Sequence, residues 1–170
     1  ILSDKGLKFS DVDHLVHGTT LVTNALIERR GARTGLLTTR GFRDILEMGI
    51  EQRYDIHDLF LQFPEPIVPR YLRREVSERV SRDGDIIVPL NLEDVRRETD
   101  YLVDQGIESL AECFLHSYKK PSHEREVDAF IRENYPNLIL SISCDVQPEL
   151  REFDRTSTTT VNAYVQPLMD

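Results

Sequence analysis

Three short stretches concentrate side chains suited to holding an anion or a polar substrate. The first is His17-Gly18-Thr19-Thr20, which follows the apolar pair Leu15-Val16 and lies one helical turn before Asn24. A strand ending in glycine and hydroxyls at a helix N-terminus leaves backbone N–H groups facing a ligand, and the helix dipole favours negative charge there. His17 can hold a substrate carbonyl, or it can simply organise the turn. The second stretch is Thr38-Thr39-Arg40-Gly41-Phe42-Arg43-Asp44, with Arg53 beyond it. A guanidinium presents a fork of donors that matches carboxylate or phosphate, so Arg40 and Arg43 are candidates for such a partner. A surface pair such as Arg43–Asp44 is the plainer alternative. The third is Arg155-Thr156-Ser157-Thr158-Thr159-Thr160. Consecutive hydroxyl residues make a poor helix interior. They point to a helix N-terminus that faces a polar ligand or a domain interface, or to a cap with spare threonines.

Other chemistry is weakly supported. There is no Gly-x-Ser-x-Gly elbow, no Walker phosphate loop, and neither Cys113 nor Cys144 has an evident His partner. His14 and His17 with Asp11 and Asp13 are spaced too loosely for a metal site, which needs three or four ligands in fixed geometry. His116 reads as a histidine bonded at a strand end.

The elements that must position these residues follow a βα rhythm. Apolar Val12, Leu15 and Val16 mark a strand, and Val22, Ala25, Leu26 and Arg29 share one face of a helix over about 20–30. Thr19 or Thr20 is its expected cap. Residues 34–39 form the next strand, followed by helical spacing through Phe42, Ile45, Leu46 and Gly49. Two strands joined by one crossover helix run parallel, so His17, Thr19, Arg40 and Arg43 are expected to converge on one cleft. Pro64, Pro66 and Pro69 forbid a regular element in 50–70, which reads as a loop lying on the body or on a partner. Tyr71 to Leu90 reads as a β-hairpin turning at Asp83-Gly84. Asn91 caps a helix with Leu92, Val95, Leu102 and Val103 inward and Gly106 at its end. A strand over 107–115, a helix opening at Pro121 or Ser122, a strand over 138–144 and a helix over 150–165 complete the pattern. The last carries Val161, Tyr164, Val165 and Leu168 as its stripe. The expected fold class is α/β: a βα-repeat module with a mostly parallel sheet plus an inserted hairpin.

At 170 residues the chain fits one domain. Its formal charge of −9 argues against general nucleic-acid binding. No run of 18 apolar residues marks a membrane span, no signal peptide is evident, and both cysteines lie in apolar runs as reduced cytosolic thiols would. Ile1 to Leu7 reads as the end of a helix without an initiator Met, so a piece of a longer polypeptide is expected.

His17 to Arg30, Gly31-Ala32-Arg33-Thr34 and Thr38 to Asp44 resemble the N-terminal region of the hydantoinase A / 5-oxoprolinase family. So do Leu115-His116-Ser117-Tyr118 with Pro121-Ser122-His123-Glu124, and Arg155-Thr156-Ser157-Thr158-Thr159 with Asn162-Ala163-Tyr164-Val165-Gln166-Pro167. The resemblance implies part of an actin-like ATPase fold. It also implies a role in an ATP- and Mg-dependent enzyme that opens a cyclic amide of the hydantoin, 5-oxoproline or lactam type. The alternatives are a ketone carboxylase subunit, or a structural module that docks a second large subunit. The substrate-binding candidates it suggests are His17, Thr19, Thr20, Asn24, Thr38, Thr39, Arg40, Arg43, Asp44, Arg53, Arg155 and Thr156. The family's Asp-x-Gly-Gly-Thr phosphate hairpin and later glycine-rich nucleotide loops are absent from these 170 residues, so the chain by itself is expected not to bind ATP.

Overall fold

The computed structural model describes residues 20–50, 60 and 63–169. Thr34-Gly35-Leu36-Leu37-Thr38-Thr39 forms β1 (Thr34–Thr39), buried along its whole length. A strand sealed on both faces belongs inside a parallel sheet. β1 lies there, between β2 (Arg73–Val76) and β5 (Ser109–Cys113), with β6 (Ile139–Ile142) beyond β5. All three pairings are parallel. The register sets Leu36 opposite Arg73, and Thr38 opposite Cys113.

Helices cover both faces. Alternation along β2 shows the two layers, because side chains of neighbouring strand residues point to opposite faces. Arg73 reaches Glu47 of α2 (Ile45–Met48), while Arg74 reaches Glu98 of α3 (Leu92–Asp104). α6 (Glu152–Val165) packs on β5 from the α2 side, and α4 (Ser122–Asn134) lies against β6. Leu36, Leu37, Leu110, Val95, Leu102, Val127 and Ile131 form the continuous core. α1 (Leu21–Ile27) makes a smaller cluster with α6 through Ala25, Tyr164 and Val165. There the Ala32 N–H donates to the Tyr164 carbonyl at 2.9 Å. A β-carbon on Gly31 would stand 2.2 Å from the Tyr164 ring, so only glycine fits that approach.

Several expectations need correction. α1 is shorter than 20–30, because Arg29 adopts a positive φ of 55° just past it. Thr20 stands at its N-cap but makes no side-chain capping bond. The expected hairpin over 71–90 is split. Residues 73–76 join the parallel sheet as β2, and only β3 (Arg79–Val80) and β4 (Ile86–Val88) pair antiparallel. Val76 is buried by the core rather than by a hairpin partner. β6 stops at Ile142, and Ser143–Val146 turns into a short helix, α5. Val103 and Leu168, expected inside, are exposed. Asn91 does cap α3, its side chain accepting from the N–H groups of Glu93 and Asp94. The strand over 12–16 lies outside the described residues.

Candidate functional site

The carboxyl ends of the parallel strands gather a buried polar network. In open α/β sheets this edge is where ligands collect. At the end of β1 the Thr39 hydroxyl accepts the Leu115 N–H at 2.8 Å and donates to Oε1 of Glu78. The other Glu78 oxygen stands 2.8 Å from Nδ1 of His123. A carboxylate accepts, so Nδ1 is the donor of this bond. All three side chains are buried. One step along the edge, Oε1 of Glu124 accepts the Phe114 N–H at 2.8 Å and the Ser143 hydroxyl at 2.6 Å. Its Oε2 accepts the Cys144 N–H at 2.7 Å. Ser117 completes the row, its Oγ 3.0 Å from that of Ser143.

Glu112, the last residue but one of β5, is equally buried but has no partner on either oxygen. Burial, reinforced by the charges of Glu124 and Asp128, pushes its carboxyl well above the ordinary 4.5 and favours the neutral acid.

The rim is charged, and its groups are engaged. Arg40 is 3.2 Å from Asp94, which also pairs with Arg97. A hydrogen bond from the Ser77 side chain, with help from Arg97, holds the Asp94 carboxyl below its usual range despite partial burial. Arg43 donates to the Arg70 carbonyl at 3.0 Å. Asp44 takes the Arg70 guanidinium with both oxygens, at 2.8 and 3.1 Å, and that bond lowers its pKa.

The hydroxyl run lies elsewhere than expected. Arg155 to Thr160 sit inside α6, which starts three residues before Arg155 at Glu152, so they do not form its N-terminus. Arg155, Thr156, Thr159, Thr160 and Ala163 make its buried stripe. The cost of a hydroxyl in that stripe is offset locally at Thr159, whose Oγ1 donates to the Arg155 carbonyl at 2.7 Å. Arg155 donates to the Phe114 carbonyl at 2.6 Å and to Sγ of Cys113 at 3.4 Å, and Thr156 donates to the same sulfur at 3.1 Å. Burial pushes the Cys113 thiol up, with the Arg155 charge opposing it.

The structure therefore brings Thr38, Arg155 and Thr156 together around one small cavity. It places Thr39 in the buried network and Arg40, Arg43 and Asp44 on the rim. Thr20 and Asn24 are exposed on α1. His17, Thr19 and Arg53 lie outside the described residues. A separate groove of about 740 Å³ runs between α1, α2 and α6, walled by Leu46, Met48, Phe63, Ile67 and Phe153 with Arg29 at its side.

Residues 1–135 match the sequence model of the hydantoinase/oxoprolinase N-terminal region. The chain belongs to the hydantoinase/oxoprolinase family. It is 38% identical over 162 residues to caprolactamase subunit alpha of Pseudomonas jessenii, covering 94% of this chain and 23% of that protein. It is 34% identical over 171 residues to 5-oxoprolinase 1 of Arabidopsis thaliana, covering 89% and 13%. The crystal structure of the ATP-dependent caprolactamase from P. jessenii superposes with a TM-score of 0.88 at 38% identity, over 94% of this chain and 23% of that one. Nucleotide-free acetone carboxylase superposes at 0.84 with 27% identity, over 98% and 26%. The chain thus spans about a quarter or less of the length of these relatives.

For this hydantoinase/oxoprolinase region, the sequence reading passed over Glu78, His123, Glu124 and Asp94 as site residues. A signal was available for two of them. Pro121-Ser122-His123-Glu124 sets a histidine and an acid in the first turn of a helix that follows a buried strand, where strand-end N–H groups need acceptors. Glu78 carried no such signal, because its partners are 39 and 45 residues away.

Proposed function

We propose that this chain is the N-terminal module of an ATP-dependent hydrolase that opens a cyclic amide of the hydantoin, 5-oxoproline or lactam type. The observation that carries this reading is the similarity to the ATP-dependent caprolactamase, in sequence and in fold, over nearly the whole chain. The module supplies the substrate side of the cleft. The polar sheet edge and its rim arginines, together with His17, Thr19, Thr20 and Asn24, orient the amide, and Arg40 offers donors to its oxygen. Several relatives are named as subunits, which supports a second large subunit as partner, with the Pro-rich 50–70 segment as the contact.

ATP with Mg supplies the driving force in the complete enzyme, and this chain by itself is expected not to bind it. A phosphate cradle needs free backbone N–H groups. Here the N–H groups of Arg40, Gly41 and Phe42 are taken by Val76, Glu75 and Thr39. Those of Phe114 and Leu115 are taken by Glu124 and Thr39. Calorimetric titration of the 170-residue chain with Mg-ATP is therefore flat, and micromolar binding sinks that part of the reading.

The complete enzyme hydrolyses ATP when given ε-caprolactam, a hydantoin or 5-oxoproline. The likeness to acetone carboxylase supports the second reading, a ketone carboxylase subunit. ATP turnover that requires acetone or acetophenone plus bicarbonate, and ignores cyclic amides, replaces the first reading with the second.

A further inference from the structure

The sheet has one place where its winding reverses. From β1 the chain passes through α2 on one face to β2, its neighbour on one side. From β5 it passes through α4 to β6, its neighbour on the other side. α4 lies on the opposite face, beside α3, where Arg96 stacks on Phe130 at 4.9 Å and the Tyr135 hydroxyl donates to Asp100 at 2.6 Å. The crevice outside the carboxyl ends of β1 and β5 is therefore the switch point, the place where open α/β sheets bind ligands. The Leu115 N–H, bonded to the Thr39 hydroxyl at 2.8 Å, ties those two strand ends together. The next residue is His116.

His116 is costly to the fold in two ways. Its φ is 59°, a conformation that strains a residue with a β-carbon. Arg29 and Arg151 share a positive φ but flank helices, whereas His116 follows a buried strand. Its carbonyl accepts the N–H groups of Lys119 and Lys120 at 2.9 and 3.2 Å, a turn that glycine makes without strain. The side chain brings no hydrogen bond in return. The sequence leads one to expect a histidine bonded at a strand end, yet Nδ1 is buried and unpartnered. Nε2 is not sealed, and it has no partner among the described residues. The half-buried ring stands edge-on to Tyr118, with centroids 5.9 Å apart.

We propose that His116 is a substrate-contacting residue at the β1–β5 switch point, its Nε2 donating to the oxygen of the substrate carbonyl. With the proton on Nε2 the ring keeps only a lone pair at the buried nitrogen. This role rests on the proposed function only for the substrate class, a carbonyl compound.

The test compares His116→Gly, His116→Gln and His116→Asn in the complete enzyme. In His116→Gly, kcat/KM for the carbonyl substrate falls roughly tenfold or more, while KM for ATP is unchanged. Tm changes little, because relief of the strained φ offsets the added freedom of the unfolded chain. A glutamine amide reaches the place of Nε2 and an asparagine amide the place of Nδ1, so His116→Gln recovers more efficiency than His116→Asn. Efficiency of the glycine variant within about twofold of wild type overturns the proposal. So does a loss confined to KM for ATP, a Tm lower by many degrees with efficiency per folded molecule intact, or a glutamine variant no better than asparagine. Wild-type turnover with acetone plus bicarbonate and none with cyclic amides removes the cyclic-amide reading alone, and the same three variants are then compared on the ketone.

Discussion

Glu124 and Glu112 are both sealed from solvent, yet one accepts three hydrogen bonds and the other none. The difference follows from which elements carry them. Glu124 sits in the first turn of α4 and faces the carboxyl ends of β5 and β6, where the ladder stops and the N–H groups of Phe114 and Cys144 are released. Its carboxyl finds donors ready and serves as the clasp between strands. Glu112 lies within β5, where the N–H groups belong to the flanking strands. An acid there has only its own proton to neutralise it. The same residue type thus becomes a hydrogen-bonded clasp beside the strand ends and a neutral acid within the strand.

Removing the clasp has the largest expected effect. Glu124→Ala takes the acceptor from three donors, and leaving buried donors unpaired costs about 3–5 kcal/mol in sum. Urea unfolding measures it, and a loss below about 1 kcal/mol erases the contrast. Glu112 responds in the opposite sense. Glu112→Met removes an unmatched polar group at similar volume, and a gain of about 1–3 kcal/mol is expected near neutral pH. The gain depends on pH. Glu112 has a folded pKa above its unfolded value, so the folded state holds the extra proton. Wild-type stability is then undiminished below the unfolded value of 4.5 and falls as pH rises towards the folded pKa, at up to about 1.4 kcal/mol per pH unit. The methionine variant lacks this slope, so its advantage widens from pH 5 to pH 8. A constant gap shows that Glu112 has a partner after all.

The rim gives the smallest change in stability. Arg40 is 63% exposed at its side chain, and Asp94 keeps Arg97 and Ser77 without it. Arg40→Ala therefore costs under about 1 kcal/mol by thermal unfolding. In the complete enzyme the same change lowers kcat/KM roughly 10- to 200-fold if Arg40 holds the substrate. A large drop in Tm with efficiency per folded molecule unchanged marks Arg40 as structural.

What the sequence revealed divides along similar physical lines. β1 was legible to the residue, because two leucines flanked by hydroxyls and closed by Arg40-Gly41 leave little choice. The Asn91 cap was legible for the same local reason. The helix over 150–165 was legible and Tyr164 and Val165 are buried as expected, but the hydroxyl run was misplaced, because the buried stripe of α6 is made largely of Arg155, Thr156, Thr159 and Thr160. Hydropathy does not register such a stripe, and the partners that make it tolerable, Cys113 and Phe114, lie 41–43 residues away. β2 was misread because an edge strand and a hairpin arm share the same alternation, and only the three-dimensional register separates them. Of the candidate site, the rim arginines were visible as types. The acids that hold the edge together were not, since their role depends on which strand ends fall beside them.

The meeting of Ala32 with Tyr164, pressed close by the missing side chain of Gly31, has a topological meaning. α1 and α6 are stapled to each other although they are far apart in the chain, so β1 to β6 all lie within one long loop of chain closed by that contact.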